Sequence, residues 1–318
     1  NINQPYDYKT IPHIHISANE AVVQDGVFDS RAGGSPSALR IDSVDAIRLS
    51  GSSEINRFEM VELTADTVEM LKGVGYHSAK DSDGVPAGAL IIRSGRLTDL
   101  RGQSLDGSVI AYSGDDIQVT DTNVDGYGLK LDAEGDLTIG TGELGISPFL
   151  WAYRVNLYGH NVHIKRTGIK TSMDVGIFGS NKVTVDGPTR IEVENLLGIL
   201  TLKIEAPEVY LNEGTDIEAY ANFDQTTTGH IEISGKEILK LKGTKIMLIN
   251  YQTHQDFRLG RGETPSIELY GREITLDNSK ITQMAYYNYI NNFGEIYSGQ
   301  HTNLSGSKLT LVEAEESV

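Results

Sequence analysis

The chain has 318 residues, with 34 Gly, 8 Pro, no Cys and a net charge of −17 from 44 acidic and 27 basic residues. Such a charge repels nucleic acid and anionic membrane surfaces, and a chain without Cys has no disulfides to staple it. Apolar runs such as Ala89 to Ile92 and Leu196 to Leu202 fall far short of the ~18 residues a membrane span needs, so no membrane insertion is expected.

Residues 1–32 lack the pattern that fills the rest of the chain. Pro5 and Pro12 flank the alternating segment Ile11-Pro-His-Ile-His-Ile16, which reads as an extended N-terminal arm or cap. Ile14 and Ile16 share one face of an ideal strand. Together with Ile11 they are the residues expected to add to the edge of a second copy and so assemble copies head to tail. The chain opens at Asn1 with neither Met nor an apolar leader segment, which reads as a mature exported protein. The absence of Cys leans the same way, toward a bacterial or archaeal surface chain.

From residue 33 to 312 a ten-residue pattern recurs: apolar–x–apolar–x–small–x–x–apolar–x–apolar. It fits Val61 to Met70, Ile110 to Val119, Val155 to Ile164, Leu202 to Leu211 and Ile267 to Leu276. Ile231 to Lys240 keeps it up to the last position, where Leu239 and Leu241 flank the expected site. Weaker copies start at Leu90 (followed by Leu97), Leu129 and Val175. Each copy reads as two short strands with a bend at the small residue. Most copies start 19 to 29 residues after the one before, which suits one turn of a parallel β-helix and is too short for strand–helix pairs. Turn dipeptides such as Asp106-Gly107, Asp125-Gly126 and Asp186-Gly187 punctuate the strands. The expectation is an all-β, single-stranded β-solenoid over 33–312 with a non-repeat arm before it and an acidic tail, 313–318, after it.

Three segments carry the repeat most clearly: Gly229-His-Ile-Glu-Ile-Ser-Gly235-Lys-Glu-Ile238, Ala133-Glu-Gly-Asp-Leu-Thr-Ile139 and Ser266-Ile-Glu-Leu-Tyr-Gly-Arg-Glu-Ile-Thr-Leu276. They resemble the rungs of filamentous-haemagglutinin-like exoproteins of the two-partner secretion type. The resemblance spans about Leu39 to Val312 and rests on rung grammar alone. It implies a right-handed parallel β-helix displayed outside the cell. The Asn-Pro-rich secretion module of that family is not in this sequence.

Chemistry-bearing groups are few. Asn123-Val-Asp125, Gly159-His160 and Arg166 to Lys170 follow the order of a polysaccharide hydrolase site on this kind of fold. No Asp-Asp pair lies between Asn123 and His160 to supply the second carboxyl that acid–base chemistry needs. No catalytic residues are therefore assigned. Asp121, Asn123, Asp125, Tyr127 and Asp132 stand at positions 1, 3, 5, 7 and 12 of a segment with Gly126 at position 6, the ligand spacing of a calcium loop. The same composition also makes an ordinary Asp/Asn/Gly turn. No other cofactor is expected. Near the end, Tyr286, Tyr287, Tyr289 and Tyr297 lie in a segment with three Asn and are expected to form a glycan platform or a lateral contact; packing of a widened rung is the plainer alternative.

The expected function is a secreted or cell-surface structural or adhesive rod that assembles with itself. A carbohydrate-active β-helix enzyme and a glycan-binding spike are the alternatives.

Overall fold

Side chains leave a strand on alternate faces, so a segment such as Leu200-Thr-Leu-Lys-Ile-Glu-Ala206 buries every second residue while the residues between stay half-exposed. The computed structural model describes residues 11–30, 37–82, 84–141, 149–195, 200–222, 229–252, 266–289, 295–299, 302–305 and 308–312, with the backbone alone at 195, 221, 222, 250–252 and 266 and from 283 onward. Among the described residues there is no helix. The chain is all-β, with largely parallel pairing, and it divides into two units, Asn1–Gly135 and Asp136–Val318.

The first unit holds β1 (His13–Gln24), β2 (Val27–Asp29), β3 (Ala38–Ser50), β4 (Glu54–Asn56), β5 (Met60–Met70), β6 (Gly75–His77), β7 (Ala89–Arg101), β8 (Ser104–Asp106), β9 (Ser108–Ser113), β10 (Asp116–Thr120) and β11 (Asn123–Ala133). They pair in three parallel ladders. In the first, Ile14, Leu39, Val61, Leu90, Val109 and Leu129 stand in one column. In the second, Leu49, Met70, Leu100 and Val119 do so. The third stacks Phe28, Ile55, Tyr76, Leu105 and Val124 along β2, β4, β6, β8 and β11. These columns face inward and are buried from Leu39, Leu49 and Ile55 onward.

The second unit holds β12 (Leu137–Gly140), β13 (Phe149–Lys165), β14 (Gly168–Asp186), β15 (Thr189–Asn195), β16 (Leu200–Leu211), β17 (Thr215–Asn222), β18 (Gly229–Lys242), β19 (Lys245–Gln252), β20 (Ser266–Asp277), β21 (Lys280–Tyr289), β22 (Glu295–Gly299), β23 (Thr302–Ser305) and β24 (Lys308–Val312). Here two of the columns are wholly aliphatic. One runs Leu157, Ile177, Ile204, Ile233, Leu269, and another runs Leu150, Ile169, Ile191, Ile217, Ile246, Ile281. β21 and β22 break the rule and pair antiparallel.

The expected pattern slips at two places. Leu97 does not face the core; Thr98 and Leu100, at 0 % and 1 % exposure, do. The register jumps between Ala65 and Thr67 against Ser94 and Leu97, because β7 carries one residue more than β5 at the bend and a bulge flips the phase. A jump between Gly235 and Ile238 likewise seats Leu239 and Leu241 over Val209 and Leu211.

Strand ends share one corner device. A residue with positive φ (Asp121 at 52°, Gly214 at 80°, Gly243 at 58°) precedes a buried Thr. The hydroxyl of that Thr donates to a carbonyl of an earlier strand: Thr122 to Leu100 at 3.0 Å, Thr215 to Val185 at 3.2 Å, Thr244 to Leu211 at 3.0 Å. Each bond gives the buried hydroxyl a partner inside the turn.

Candidate functional site

In the third ladder of the first unit, Phe28, Ile55, Tyr76, Leu105 and Val124 point inward, so the residues after them point out. That outer column reads Asp29, Asn56, His77, Asp106, Asp125. Asp106 and Asp125 are register partners, which sets their backbones about 4.8 Å apart. Burial and the charge of Asp106 push the Asp125 carboxyl up, with Lys80 opposing. Asp106 has Oδ2 4.0 Å from His77 Nδ1, and its other oxygen is buried without a hydrogen-bond partner. Beside this column the chain makes a short hairpin, held by an antiparallel bridge from Lys80 to Pro86 and by Asp81 Oδ1 accepting from the Val85 amide at 2.9 Å. Tyr127 Oη donates to Asp81 Oδ2 at 3.4 Å. The arrangement places a carboxyl of raised proton affinity over a second one, with Lys80 near enough to oppose the shift.

The calcium-spaced residues fall along this strand and not around a loop. Asp121 sits at a corner with φ 52°. Asn123, Asp125 and Tyr127 alternate on the outer face of β11. Asp132 belongs to a different ladder, where it partners Tyr112 in register and meets Lys130 Nζ at 3.2 Å. An extended strand spaces alternate side chains about 6.6 Å apart, so these oxygens do not converge. Among the described residues no group of three or more His, Asp or Glu is placed to hold a metal ion.

The second unit has its own polar face, on β13, β14, β15, β17 and β19. Phe149, Trp151 and Tyr153 lie on one outer side of β13, between buried Leu150 and Ala152. Trp151 partners Lys170 in register. Lys170 Nζ reaches Glu192 at 2.6 Å and Glu194 at 3.1 Å. Next to them Glu218, only 5 % exposed, accepts from Arg190 at 2.6 Å, Tyr220 at 2.7 Å and Lys245 at 3.0 Å. Burial pushes the Glu218 carboxyl up, but those three donors outweigh it and hold the group below the usual carboxylate range. Burial and the Glu218 carboxylate push Tyr220 up to about 12.

A carboxyl with a depressed folded pKa stabilises the fold above its unfolded pKa and loses that contribution as pH falls through the folded value. The second unit should therefore lose stability below about pH 4. Thermal melts of Glu218→Gln between pH 7 and pH 3 should show a shallower pH slope than the parent chain. Identical slopes would mean that Glu218 does not take part in the linkage.

The hydrolase-like residues of this unit are engaged by different neighbours. His160 Nδ1 lies 2.9 Å from Ser180 Oγ, Arg166 occupies a corner with φ 50°, and Lys170 is bound to its two glutamates.

No family model matches this chain, no curated protein matches it, and no solved structure does.

At the N-terminal end, Ile14 and Ile16 sit in register over Leu39 and Ile41 of their own chain. Ile14 remains 42 % exposed, Ile11 and Ile16 are half-buried, and among the described residues β3 is the only partner of β1. At the other end Tyr286, Tyr287 and Tyr289 lie on β21 and Tyr297 on β22, with Tyr287 opposite Tyr297; their side chains lie outside the described residues.

Reading the sequence alone missed His77, Lys80, Asp106, Arg190, Glu218 and the β13 aromatics as site residues. Two signals were available. Asp106-Gly107 and Asp125-Gly126 stand 19 residues apart, one of the repeat gaps, and Phe149, Trp151, Tyr153 alternate along one strand.

Proposed function

We propose that the chain is a structural or adhesive β-helix of the cell exterior, right-handed and single-stranded, of the filamentous-haemagglutinin-like kind, and that copies associate end to end through β1. The observation that carries this reading is the ladder pairing: within each unit, most strands stack in parallel on those one repeat away, and the inward columns are mostly aliphatic and buried. The outer faces carry ion pairs that cross from strand to strand, such as Arg48 to Glu20 and Lys203 to Glu232, which suits a scaffold that must stay in water. Among the described residues β3 alone pairs with β1, and Ile14 at 42 % and Val22 at 61 % exposure on that strand support addition of a strand from another copy.

Sedimentation of the purified chain over a hundredfold concentration range tests this. The parent chain should show concentration-dependent growth, and Ile14→Lys should stay monomeric with unchanged circular dichroism, since a charge there blocks the edge while Ile14 is only partly covered in the monomer. A parent chain that is monomeric throughout removes the assembly reading.

One observation favours a second reading, a carbohydrate-active enzyme: Asp106 and Asp125 are register partners on one outer column, and burial and the charge of Asp106 raise the proton affinity of Asp125. Release of reducing ends from a polysaccharide panel, abolished in Asp125→Asn, would support it; equal release by that variant would exclude the pair.

A further inference from the structure

Phe149 and Tyr153 are 46 % and 40 % exposed, and the chain's single Trp lies between them. Their alternation lines up three rings over about 13 Å of strand. Trp151 and Tyr153 have ring centroids 6.3 Å apart and planes inclined by 50°, so they do not stack on each other. The register shifts between Ala152 and Arg154 because β14 carries one residue more there, so Tyr153 faces a bulge of the neighbouring strand and keeps its place in the alternation of β13. The rows beside the rings are polar and of both signs: Lys170 beside Trp151, then Glu192 and Glu218, with Arg190 bridging the last two at 3.1 and 2.6 Å.

We propose that this row binds a linear neutral glycan. Flat aromatic faces shed water against the flat C–H face of a sugar ring, and hydroxyls at the ring's rim need the donors and acceptors that the neighbouring rows supply. The other occupants fit less well. A folded protein partner needs about 800 Å² on each side, whereas three partly covered rings, each worth 150–250 Å² of burial, present less than that. An acidic polysaccharide meets the net charge of −17. The inference does not depend on the assembly reading, because β13 is remote in sequence from β1.

The lone Trp makes the test specific. The full chain is titrated with maltohexaose, cellohexaose and hexagalacturonate, following Trp emission and, in parallel, heat of binding. At least one neutral sugar should shift the emission saturably. Phe149→Ala and Tyr153→Ala should each weaken that binding tenfold or more with unchanged circular dichroism, while Trp151→Phe should keep the heat and lose the emission signal. No response to either neutral sugar at millimolar concentration overturns the proposal. So does binding of hexagalacturonate alone, or unchanged affinity in the Phe149→Ala/Tyr153→Ala double variant. Sedimentation of the same samples reports assembly separately, so failure of one reading leaves the other standing.

Discussion

Gly126→Val should unfold the first unit at temperatures the parent chain withstands. Gly88, Gly107 and Gly126 recur every 19 residues and stack where three strands turn. A Cβ on Gly126 would lie inside contact distance of the carbonyl of Gly107 and 3.0 Å from the Ser108 amide nitrogen, and one on Gly107 would meet Gly88 O at 3.0 Å. The obstacles at Gly126 are all backbone atoms, which cannot turn aside as a side chain can. Relief requires the strands to separate, so a cost of about 2–4 kcal/mol is expected. Gly128, two residues on, is the control: nothing lies within 4 Å of a Cβ there, and Gly128→Ala should change stability by less than about 0.5 kcal/mol. Denaturant melts of the two variants check the contrast. Equal effects would mean that the stack does not constrain the fold.

Ile204→Ala should cost the second unit about 2–5 kcal/mol. Ile204 is fully buried, with Ile177 on one side and Ile233 on the other. Both neighbours are held by their own backbone pairing and cannot close over the gap, so the cost includes a cavity as well as lost transfer energy. Glu205, the next residue, points outward to Lys203 at 3.0 Å and Lys236 at 2.7 Å. Exposed pairs of this kind contribute about 0–1 kcal/mol, so Glu205→Ala should be nearly silent. Hydrogen exchange would locate the loss: protection should fall first in β14, β16 and β18, the strands that share the column.

The sequence by itself determined the strands, their direction of burial and their approximate period. Alternation forces one face inward, a small residue marks each bend, and neither depends on which strand lies next door. Val61, Leu157, Ile204 and Ile274 were legible as core for that reason. Only the tertiary structure decided the register. One extra residue at a bend, as at Leu97 or Ile238, inverts which side chains face the core, and local pattern cannot tell a bulge from a continued strand. Register in turn decides the sites. Asp125 looks like the fifth position of a cation loop when read along the chain, but pairing across strands makes it the neighbour of Asp106, 19 residues away, and leaves Asp132 in another ladder. Glu218 and Arg190 are 28 residues apart and unremarkable in sequence; they meet because parallel pairing lays one repeat on the next. The side chains that share a site here are neighbours across ladders, and ladder contacts are long-range in sequence.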